Sequence, residues 1–417
     1  MNILFIHQNF PGQFKFLAPA LAKLGHRVVA MTMQKLENKV WQGVELVQYS
    51  ATRGSTPGIH PWVSDFETKT IRGEACFHAA LMMKKQGFQP DVIVANHGWG
   101  ESLFLKEVWP KSKLAIYCEF FYSATGADVN FDPEFPNLDQ TESSRIKLKN
   151  LNNILHFEIA DAGISPTKWQ ASTFPASFRE KISIIHDGID TEKVKPNTEI
   201  NFNINSSNGR QLNLNRSSEV ITFVNRNLEP YRGYHTFMRC LPFLLKERSN
   251  AEILIVGGDD VSYGARPSKE KYGYSNWKDV FINENINKIS KEDWLRVHFL
   301  GTLPYHYFIP LLQISTVHVY LTYPFVLSWS LIEAMSAGCA IVASNTDPVK
   351  EVIKNHANGL LTDFFDSKLL SENISNLSED SMQRKEFSIA ARNLAIEKYD
   401  LNKICLPLQI QWVVNLI

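Results

Sequence analysis

The sequence is poor in cysteine and carries no excess of either charge. Five cysteines occur in 417 residues, far apart and without a CxxC pair. Neither a disulfide framework nor a zinc site is indicated, and a reducing compartment fits. Lys plus Arg and Asp plus Glu each number 43, so the formal net charge is zero. This balance removes the simplest case for a nucleic-acid-binding protein, which needs a basic surplus to meet phosphates.

Long apolar runs and common catalytic motifs are also missing. No segment reaches the ~18 apolar residues that span a bilayer, and the first apolar run, Ile3–Ile6, lacks the flank and length of an export signal. We therefore expect a cytoplasmic protein, with peripheral contact at the inner face of the membrane left open. GxSxG, the P-loop pattern and HExxH are absent. The pair Asp259-Asp260 could suggest a metal, but adjacent acids in a loop are more often solvated, and no metal or other cofactor is expected.

The sequence does contain a regular alternation of short apolar runs with longer amphipathic stretches, which is typical of parallel sheets covered by helices. Its length exceeds what one hydrophobic core usually supports. We predict an α/β fold with two doubly wound, Rossmann-like domains, over residues 1–190 and 191–385. A C-terminal segment, 386–417, is expected to pack back on the first domain. The turn-rich segment His186–Asp190 marks the boundary.

Individual elements follow from the same pattern. The first half predicts helices at Phe14–Leu24 and Val63–Lys85, and the strands Asn2–Ile6, Arg27–Thr32, Val92–Ala95, Leu114–Tyr117 and Ile182–Ile185. The second half predicts a helix at His235–Lys246, a helix through Glu333–Ala337, and the strands Ile221–Asn225, Glu252–Val256, Val297–Leu300, Val317–Leu321 and Ala340–Ala343. The segment Pro196–Ser218 is either an exposed loop or a ragged β-hairpin.

Two turns at predicted strand ends of the first half attract attention. Gly12 lies between the first strand and a helix, where a chain can approach an anion closely. His97, flanked by Asn96 and Gly98, follows the strand Val92–Ala95, and ligands of open parallel sheets bind at such ends. An ordinary βα loop and a structural histidine are the plain alternatives.

Two further turns lie in the second half. Arg226 and Arg232 frame a turn after a strand, where guanidinium groups can clamp a diphosphate, although solvated arginines are the plain alternative. The segment Pro324–Gly338 leads into a helix whose start suits a phosphate. Its Glu333 stands among apolar residues and needs a partner such as sugar hydroxyls, or else it is an acid near a helix N-terminus.

Taken together, these segments resemble the family 4 retaining glycosyltransferases (glycosyl transferases group 1), whose GT-B fold has two Rossmann-like domains facing across a cleft. The resemblance covers nearly the whole chain. It is carried by the blocks Phe223–Gly233, Ile253–Asp260, Phe299–Gly301, Phe325–Ser344, Ile184–Asp190 and Asn358–Leu361. It implies a hexosyltransferase-like enzyme that uses a nucleoside-diphosphate sugar, with residues 1–190 on the acceptor side and residues 191–385 on the donor side.

The resemblance also implies roles for individual residues. Arg226 and Arg232 would bind the donor diphosphate, and His97 would lie beside the donor sugar. The remaining donor-binding positions would be Gly12 against the phosphate, Thr302 and Leu303 near the nucleobase, Ser328, Trp329 and Ser330 at the phosphate, and Glu333 at the ribose. Gly258 is also expected to bind the donor, without an assigned contact. The family commonly carries a second glutamate eight positions before Glu333, where this chain has Phe325.

That departure keeps other functions open. We predict retaining glycosyl transfer to an unidentified acceptor, which could be a glycan, a lipid, a small molecule or a protein. A nucleotide-sugar epimerase of the same fold and a non-catalytic nucleotide- or sugar-binding protein are the alternatives. The stretch Cys118–Tyr122 with Asp128–Pro136 is either an acceptor wall or a structural loop. The aromatic residues of the 260–295 segment either stack on sugar rings or cover an exposed edge. The sequence does not define the oligomeric state.

Overall fold

A computed structural model describes residues 1–205 and 209–417. The chain folds into two compact units. The first contains Met1–Gly188 together with Leu401–Ile417, and the second contains Ile189–Asp400. Among the described residues, no helix is both long enough and apolar enough to cross a membrane.

The first unit is built on an eight-stranded sheet in the order β3-β4-β2-β1-β5-β6-β7-β8. All neighbouring strands are parallel except β3 and β4. The order runs outward in both directions from the β1–β5 pair, so the topological switch point lies there. The strands are β1 Asn2–Ile6, β2 Arg27–Thr32, β3 Val40–Trp41, β4 Val44–Gln48, β5 Val92–Ala95, β6 Lys113–Tyr117, β7 Ala162–Ser165 and β8 Ile182–Ile184.

Helices cover both faces of this sheet. One face packs against α2 through residues such as Cys76 and Ala80, and the other packs against α1 and α17 through Leu21 and Trp412. Because both faces are buried, the central strands are continuous apolar runs rather than alternating ones. The helices are α1 Leu17–Lys23, α2 Ser64–Lys85, α3 Leu105–Val108, α4 Glu142–Lys149, α5 Leu151–Ile159, α6 Lys168–Ser172, α7 Ala176–Arg179 and, from the C-terminal segment, α17 Leu406–Val414.

The second unit contains a six-stranded parallel sheet in the order β13-β12-β11-β14-β15-β16, and a separate antiparallel hairpin of β9 and β10. Its switch point lies between β11 and β14. The strands are β9 Asn201–Asn205, β10 Gln211–Asn215, β11 Val220–Asn227, β12 Glu252–Gly258, β13 Val297–Phe299, β14 Val317–Tyr320, β15 Ile341–Ser344 and β16 Leu360–Thr362.

This sheet is also covered on both faces. Phe223 of β11 stacks on Phe237 of α8 with 4.4 Å between ring centroids, while Leu331 and Met335 of α13 belong to the core on the other face. The helices are α8 Tyr234–Glu247, α9 Lys269–Tyr272, α10 Trp277–Asn285, α11 Lys291–Trp294, α12 Tyr305–Ile314, α13 Trp329–Ala337, α14 Asp347–Val352, α15 Ser367–Glu379 and α16 Ser381–Tyr399.

The structure agrees with the α/β prediction, and the differences are local. Every predicted strand is present within two residues of its predicted ends. The strands β3, β4 and β7 were missed, because β3 has two residues, β4 carries Glu45 and Gln48 among its apolar residues, and β7 contains Gly163. Between Pro196 and Ser218 the described residues form the hairpin rather than a loop. The predicted first helix is shorter, because a 3₁₀ turn at Gly12–Phe14 precedes α1. The chain returns to the first unit after Asp400, whereas the predicted tail began at 386, inside α16.

Candidate functional site

The carboxyl edge of the second sheet holds a buried cation at its switch point. Arg232 follows β11 in a 3₁₀ turn, and only 6% of its surface is exposed. Its Nη1 donates to Oγ1 of Thr322 at 2.8 Å and to the carbonyl oxygen of Val326 at 3.3 Å, both beyond the end of β14. Its guanidinium carbon lies 4.9 Å from the ring centroid of Tyr263. The side chain is therefore fixed in place by the two strands that define the switch point.

The guanidinium of Arg232 has no directly bonded carboxylate among the described residues, although the buried carboxylate of Glu229 attracts it at longer range. In residues 1–205 and 209–417, no carboxylate forms an ion pair with its guanidinium. A guanidinium stays charged at any relevant pH, and burying an uncompensated charge is costly. An anion that binds beside Arg232 would therefore stabilise the buried charge.

The second predicted arginine differs from the first. Arg226 is exposed near the end of β11, and its side chain makes no hydrogen bond or ion pair with the described residues. The two arginines therefore lie at the same edge of the sheet, one fixed and one free to adjust to a ligand.

Gly258 brings three chain segments together at this edge. A Cβ atom at Gly258 would lie 2.6 Å from Oδ1 of Asn227, 3.4 Å from the carbonyl oxygen of Arg226 and 3.5 Å from Oγ1 of Thr302. The ends of β11 and β12 and the segment after β13 thus converge, and a Cβ atom at Gly258 would require the tip of the Asn227 side chain to shift. Leu303, the next residue, packs against the core. Of the predicted donor-binding residues, Gly258 and Thr302 are therefore close to Arg226.

The N-terminus of α13 lies after β14 on the same side of the sheet. Ser328 caps the helix, because its Oγ accepts from the backbone N–H of Ser330 at 3.3 Å. The backbone N–H of Ser328 in turn donates to the hydroxyl of Tyr320 at 3.0 Å. Trp329 is partly buried against the core. The N-terminal end of a helix favours negative charge, so α13 adds to the attraction of this edge for an anion.

Glu333 lies one turn further along α13 and is 8% exposed. Its Oε1 accepts a hydrogen bond from the hydroxyl of Tyr305, at 2.8 Å. Tyr305, the first residue of α12, is itself 58% exposed. The carboxylate therefore already accepts a hydrogen bond from the hydroxyl group of an exposed side chain, and its contact with sugar hydroxyls stays a prediction.

Phe325 lies in a cluster of aromatic side chains. It is 6% exposed, and its ring centroid lies 5.0 Å from that of Tyr263 and 5.7 Å from that of Tyr231. Tyr231 in turn lies 4.6 Å from Tyr323. Where the resemblance leads us to expect a glutamate, this chain has Phe325. Its ring belongs to an apolar wall that includes Tyr263, whose ring covers Arg232.

One residue that shapes this wall was missed by sequence reasoning. Glu229 is 1% exposed, and its carboxylate accepts the backbone N–H groups of Ser262, Tyr263 and Gly264 at 3.0 to 3.3 Å. It thereby holds the loop that places Tyr263 on Arg232. An acid immediately before Pro230 at a strand end was the available signal, but its partners lie over thirty residues away in sequence.

In the first unit, His97 lies beyond the end of β5, within a 3₁₀ turn capped by Asn96. It is 2% exposed. Its Nδ1 lies 3.1 Å from the carbonyl oxygen of Tyr117, and its Nε2 lies 2.7 Å from the side-chain amide of Asn153. Burial lowers the pKa of His97 to about 4. The ring is therefore neutral near pH 7, and both of its nitrogen atoms are engaged.

Gly12 lies at the other strand of the first switch point, with a φ of 46°. A Cβ atom there would lie 2.4 Å from the His7 ring, so the close approach that this glycine permits is used by His7. The side chain of Gln13 joins the two predicted turns, because its Oε1 lies 2.9 Å from His7 Nε2 and accepts from Asn96 at 3.3 Å.

Solved structures with this two-unit architecture resemble the chain over nearly all of its length. Sucrose-phosphate synthase from Thermosynechococcus elongatus has a TM-score of 0.69 at 17% identity, covering 99% of this chain and 98% of its own. Anabaena HepE in complex with UDP has a TM-score of 0.66 at 16% identity, covering 100% and 99%. A UDP-forming α,α-trehalose-phosphate synthase from Burkholderia xenovorans has a TM-score of 0.67 at 11% identity, covering 100% and 98%. The fold is that of the GT-B glycosyltransferases.

Family models narrow this class. The model described as glycosyl transferase family 4 group matches residues 24–194, and that described as glycosyl transferases group 1 matches residues 206–394. The two matches together span most of the chain, which therefore belongs to the family 4 type of GT-B glycosyltransferases. A search among curated proteins gives no match.

Proposed function

We propose that this glycosyltransferase moves a sugar from a nucleoside-diphosphate sugar to an acceptor hydroxyl with retention of anomeric configuration. The observation that carries the proposal is the buried guanidinium of Arg232, which has no carboxylate counter-ion among the described residues and lies on the same side of the sheet as the N-terminus of α13. A diphosphate supplies the missing charge. The UDP and UDP-glucose complexes of Anabaena HepE support a uridine nucleotide as the first one to test.

The other residues of this edge take roles around the diphosphate. Arg226 closes on it from the exposed side, and Glu333 exchanges its bond with Tyr305 for one with the ribose hydroxyls. The backbone at Ser328 to Ser330 contacts phosphate oxygens, with Trp329 beside it. Thr302 and Leu303 flank the nucleobase, and Gly258 lies beside Thr302. These assignments follow from the positions of the residues around one switch point, where ligands of open parallel sheets bind.

Two arginines and a helix N-terminus suit a reaction in which negative charge develops on the leaving group. The bond from the sugar C1 to the diphosphate oxygen breaks as the bond from C1 to the acceptor oxygen forms on the same face. The acceptor proton passes to the departing phosphate, so the site needs no carboxylate base, unlike that of a glycoside hydrolase. Stabilising the departing charge then provides most of the catalysis. The proposal requires no metal.

In the first unit, we assign His97 and Gly12 to the acceptor-side edge of the sheet. The nitrogens of His97 are occupied by Tyr117 and Asn153. We therefore give the imidazole a positioning role, in which it fixes the turn after β5. Gly12 serves the neighbouring turn through its contact with His7.

A panel of nucleotides and nucleotide sugars tests the proposal. Thermal unfolding of the full chain should shift upward with one donor, because a ligand that binds only the folded state stabilises it. NMR of the product formed from that donor should show a retained anomeric configuration. A donor that shifts the unfolding temperature without turnover in any acceptor mixture would support the binding-protein alternative, to which Phe325 lends weight. An isomerised nucleotide sugar without acceptor would support an epimerase. No shift with any donor would refute nucleotide-sugar dependence.

A further inference from the structure

A second cation lies at the carboxyl edge of the first sheet. Lys149 is the last residue of α4, and its Nζ lies 3.4 Å from the ring centroid of Tyr122. Lys149 is not an exposed surface lysine, unlike Lys147 on the same helix. Within residues 1–205 and 209–417, no carboxylate forms an ion pair with it. The ammonium therefore has a ring face as its partner and no counter-ion.

The ring beneath Lys149 is held in place by its own main chain. The backbone N–H of Tyr122 donates to Oδ1 of Asn150 at 3.1 Å, and Nδ2 of Asn150 donates to the carbonyl oxygen of Tyr122 at 2.8 Å. Asn150 is 4% exposed and directly follows Lys149. This reciprocal pair of bonds fixes the distance between the lysine backbone and the ring. These main-chain bonds therefore hold the Tyr122 ring in position to contact the ammonium.

The same segment is joined to the turn that contains His97. Nδ2 of Asn152 donates to the carbonyl oxygen of His97 at 2.9 Å, and Asn153 contacts the His97 ring. Lys149 therefore belongs to the group of side chains that surrounds the carboxyl end of β5, beside the switch point of the first sheet. This is where an open parallel sheet binds its ligands.

The nearby carboxylates do not neutralise Lys149. Asp65 forms its ion pair with Lys69 at 2.7 Å, and Glu142 forms one with Arg145. The pKa of Lys149 is lowered to about 8, mainly by burial, with attraction to Asp65 and Asp128 opposing the shift and repulsion from Lys69 and Arg145 adding to it. A partly desolvated cation that no carboxylate of the described residues contacts directly is a cost to the fold, and a bound anion would offset that cost.

We propose that Lys149, seated on the ring of Tyr122, binds an anionic group of the acceptor, so that the physiological acceptor is a phosphate- or carboxylate-bearing molecule. The identification of the bound molecule as the acceptor rests on the proposed function, whereas the anion site itself does not. Lys149 takes part in no bond-making step. It orients an acceptor whose hydroxyl attacks the sugar, and an ammonium on a flexible stem can bind such a group as a point charge.

Thermal unfolding with inorganic phosphate tests the anion site without knowledge of the donor. The full chain carries Arg232→Met, so that phosphate binding at the second sheet is weakened, and is compared with the same chain carrying Lys149→Met or Lys147→Met in addition. Phosphate should raise the unfolding temperature of the Arg232→Met chain and of its Lys147→Met form by about 2–4 °C. The Lys149→Met form should show no such rise. An equal rise in all three chains would overturn the proposal.

Two further measurements complete this test. Acetate in place of phosphate distinguishes a carboxylate-bearing acceptor from a phosphate-bearing one, because only the favoured anion should reproduce the Lys149-dependent rise. Without any ligand, Lys149→Met should unfold at or above the temperature of Lys147→Met, since it removes a charge that burial disfavours. A fall of several degrees would mean that the ammonium is needed to hold the fold, and would count against a binding role. If phosphate binds at Lys149 and no nucleotide sugar binds, the anion site stands and the proposed function fails.

Discussion

The two units place a cation at the same point of their sheets, yet they hold it differently. Arg232 and Lys149 both follow the carboxyl edge of a parallel sheet near its switch point, and each rests on a tyrosine ring, at 4.9 Å and 3.4 Å respectively. Arg232 donates hydrogen bonds to Thr322 and Val326 and is fixed by them. Lys149 contacts its ring and forms no ion pair with the described residues.

The difference matters because the two cations respond differently to their surroundings. A guanidinium stays charged and presents donors in a rigid fork, which suits a ligand group that never changes, such as a diphosphate. An ammonium is a point charge on a flexible stem, and the pKa of Lys149 is lowered to about 8. The proposed anion site of the second unit therefore keeps its charge, whereas that of the first unit loses its charge as the pH rises through about 8. We therefore expect donor binding in the second unit to be independent of pH, and acceptor binding in the first unit to depend on it.

Replacing Arg232 removes the proposed contact with the donor diphosphate and should have the largest effect on activity. Arg232→Met keeps much of the buried stem and removes the charge, so we expect kcat/KM for the donor to fall by about 10³-fold, comparable to the loss of a group that stabilises a developing charge. Steady-state kinetics with the donor identified by the panel would measure this. Arg210→Met is the matched control, because Arg210 pairs with Glu252 at the opposite edge of the same sheet. Equal losses in both variants would contradict the diphosphate assignment.

The pH dependence of the two KM values distinguishes the acceptor site at Lys149 from the donor site at Arg232. Lys149 is charged below its pKa of about 8 and neutral above it, so it can hold an anionic acceptor at pH 7 and loses it as the pH rises. We expect KM for the acceptor to increase up to tenfold per pH unit above about pH 8, while KM for the donor stays flat to pH 9. The charged groups that face the ammonium are Asp65, Lys69, Asp128 and Arg145.

The control for the pH profile is Lys149→Met, in which acceptor KM should be high and independent of pH. Lys147→Met should retain the wild-type profile, because Lys147 is exposed on the same helix. If Lys149→Met kept the pH dependence, another group would be responsible and the anionic-acceptor proposal would lose its support.

The sequence predicted much more of the second unit's site than of the first unit's site. Arg226, Arg232 and Glu333 stand in motifs whose order resembles a known family, and the structure places them at one sheet edge. Lys149 gave no such signal, because its partner Tyr122 lies 27 positions earlier and the two are brought together by the side-chain bonds of Asn150. The fold itself was predictable from apolar periodicity, which depends on local spacing. Pairings between distant polar side chains have no local signature.

Loosening the loop that covers Arg232 should have a moderate effect. Glu229→Gln removes the charge that holds the N–H groups of Ser262, Tyr263 and Gly264, and hydrogen bonds to a charged group contribute about 1.5–3 kcal/mol. We expect the free energy of unfolding to fall by about 2 kcal/mol and donor KM to rise several-fold, with kcat little changed. Denaturant unfolding and kinetics measure the two effects. Glu284→Gln, whose carboxylate pairs with Arg239 on a distant helix, serves as control and should leave donor KM unchanged.

The smallest expected effect is on donor affinity and concerns Tyr305, which contacts the proposed ribose-binding residue Glu333. Tyr305 donates to Glu333 at 2.8 Å from a side chain that is 58% exposed. If the ribose hydroxyls replace this bond, the tyrosine competes with the donor, and Tyr305→Phe removes the competitor while keeping the ring. A neutral hydrogen bond contributes about 1 kcal/mol net, so donor affinity should increase about two- to fivefold. Titration calorimetry with the nucleotide alone measures this, and Tyr307→Phe on the same helix is the control. Weaker binding in Tyr305→Phe would instead mean that the tyrosine holds Glu333 in position for the donor.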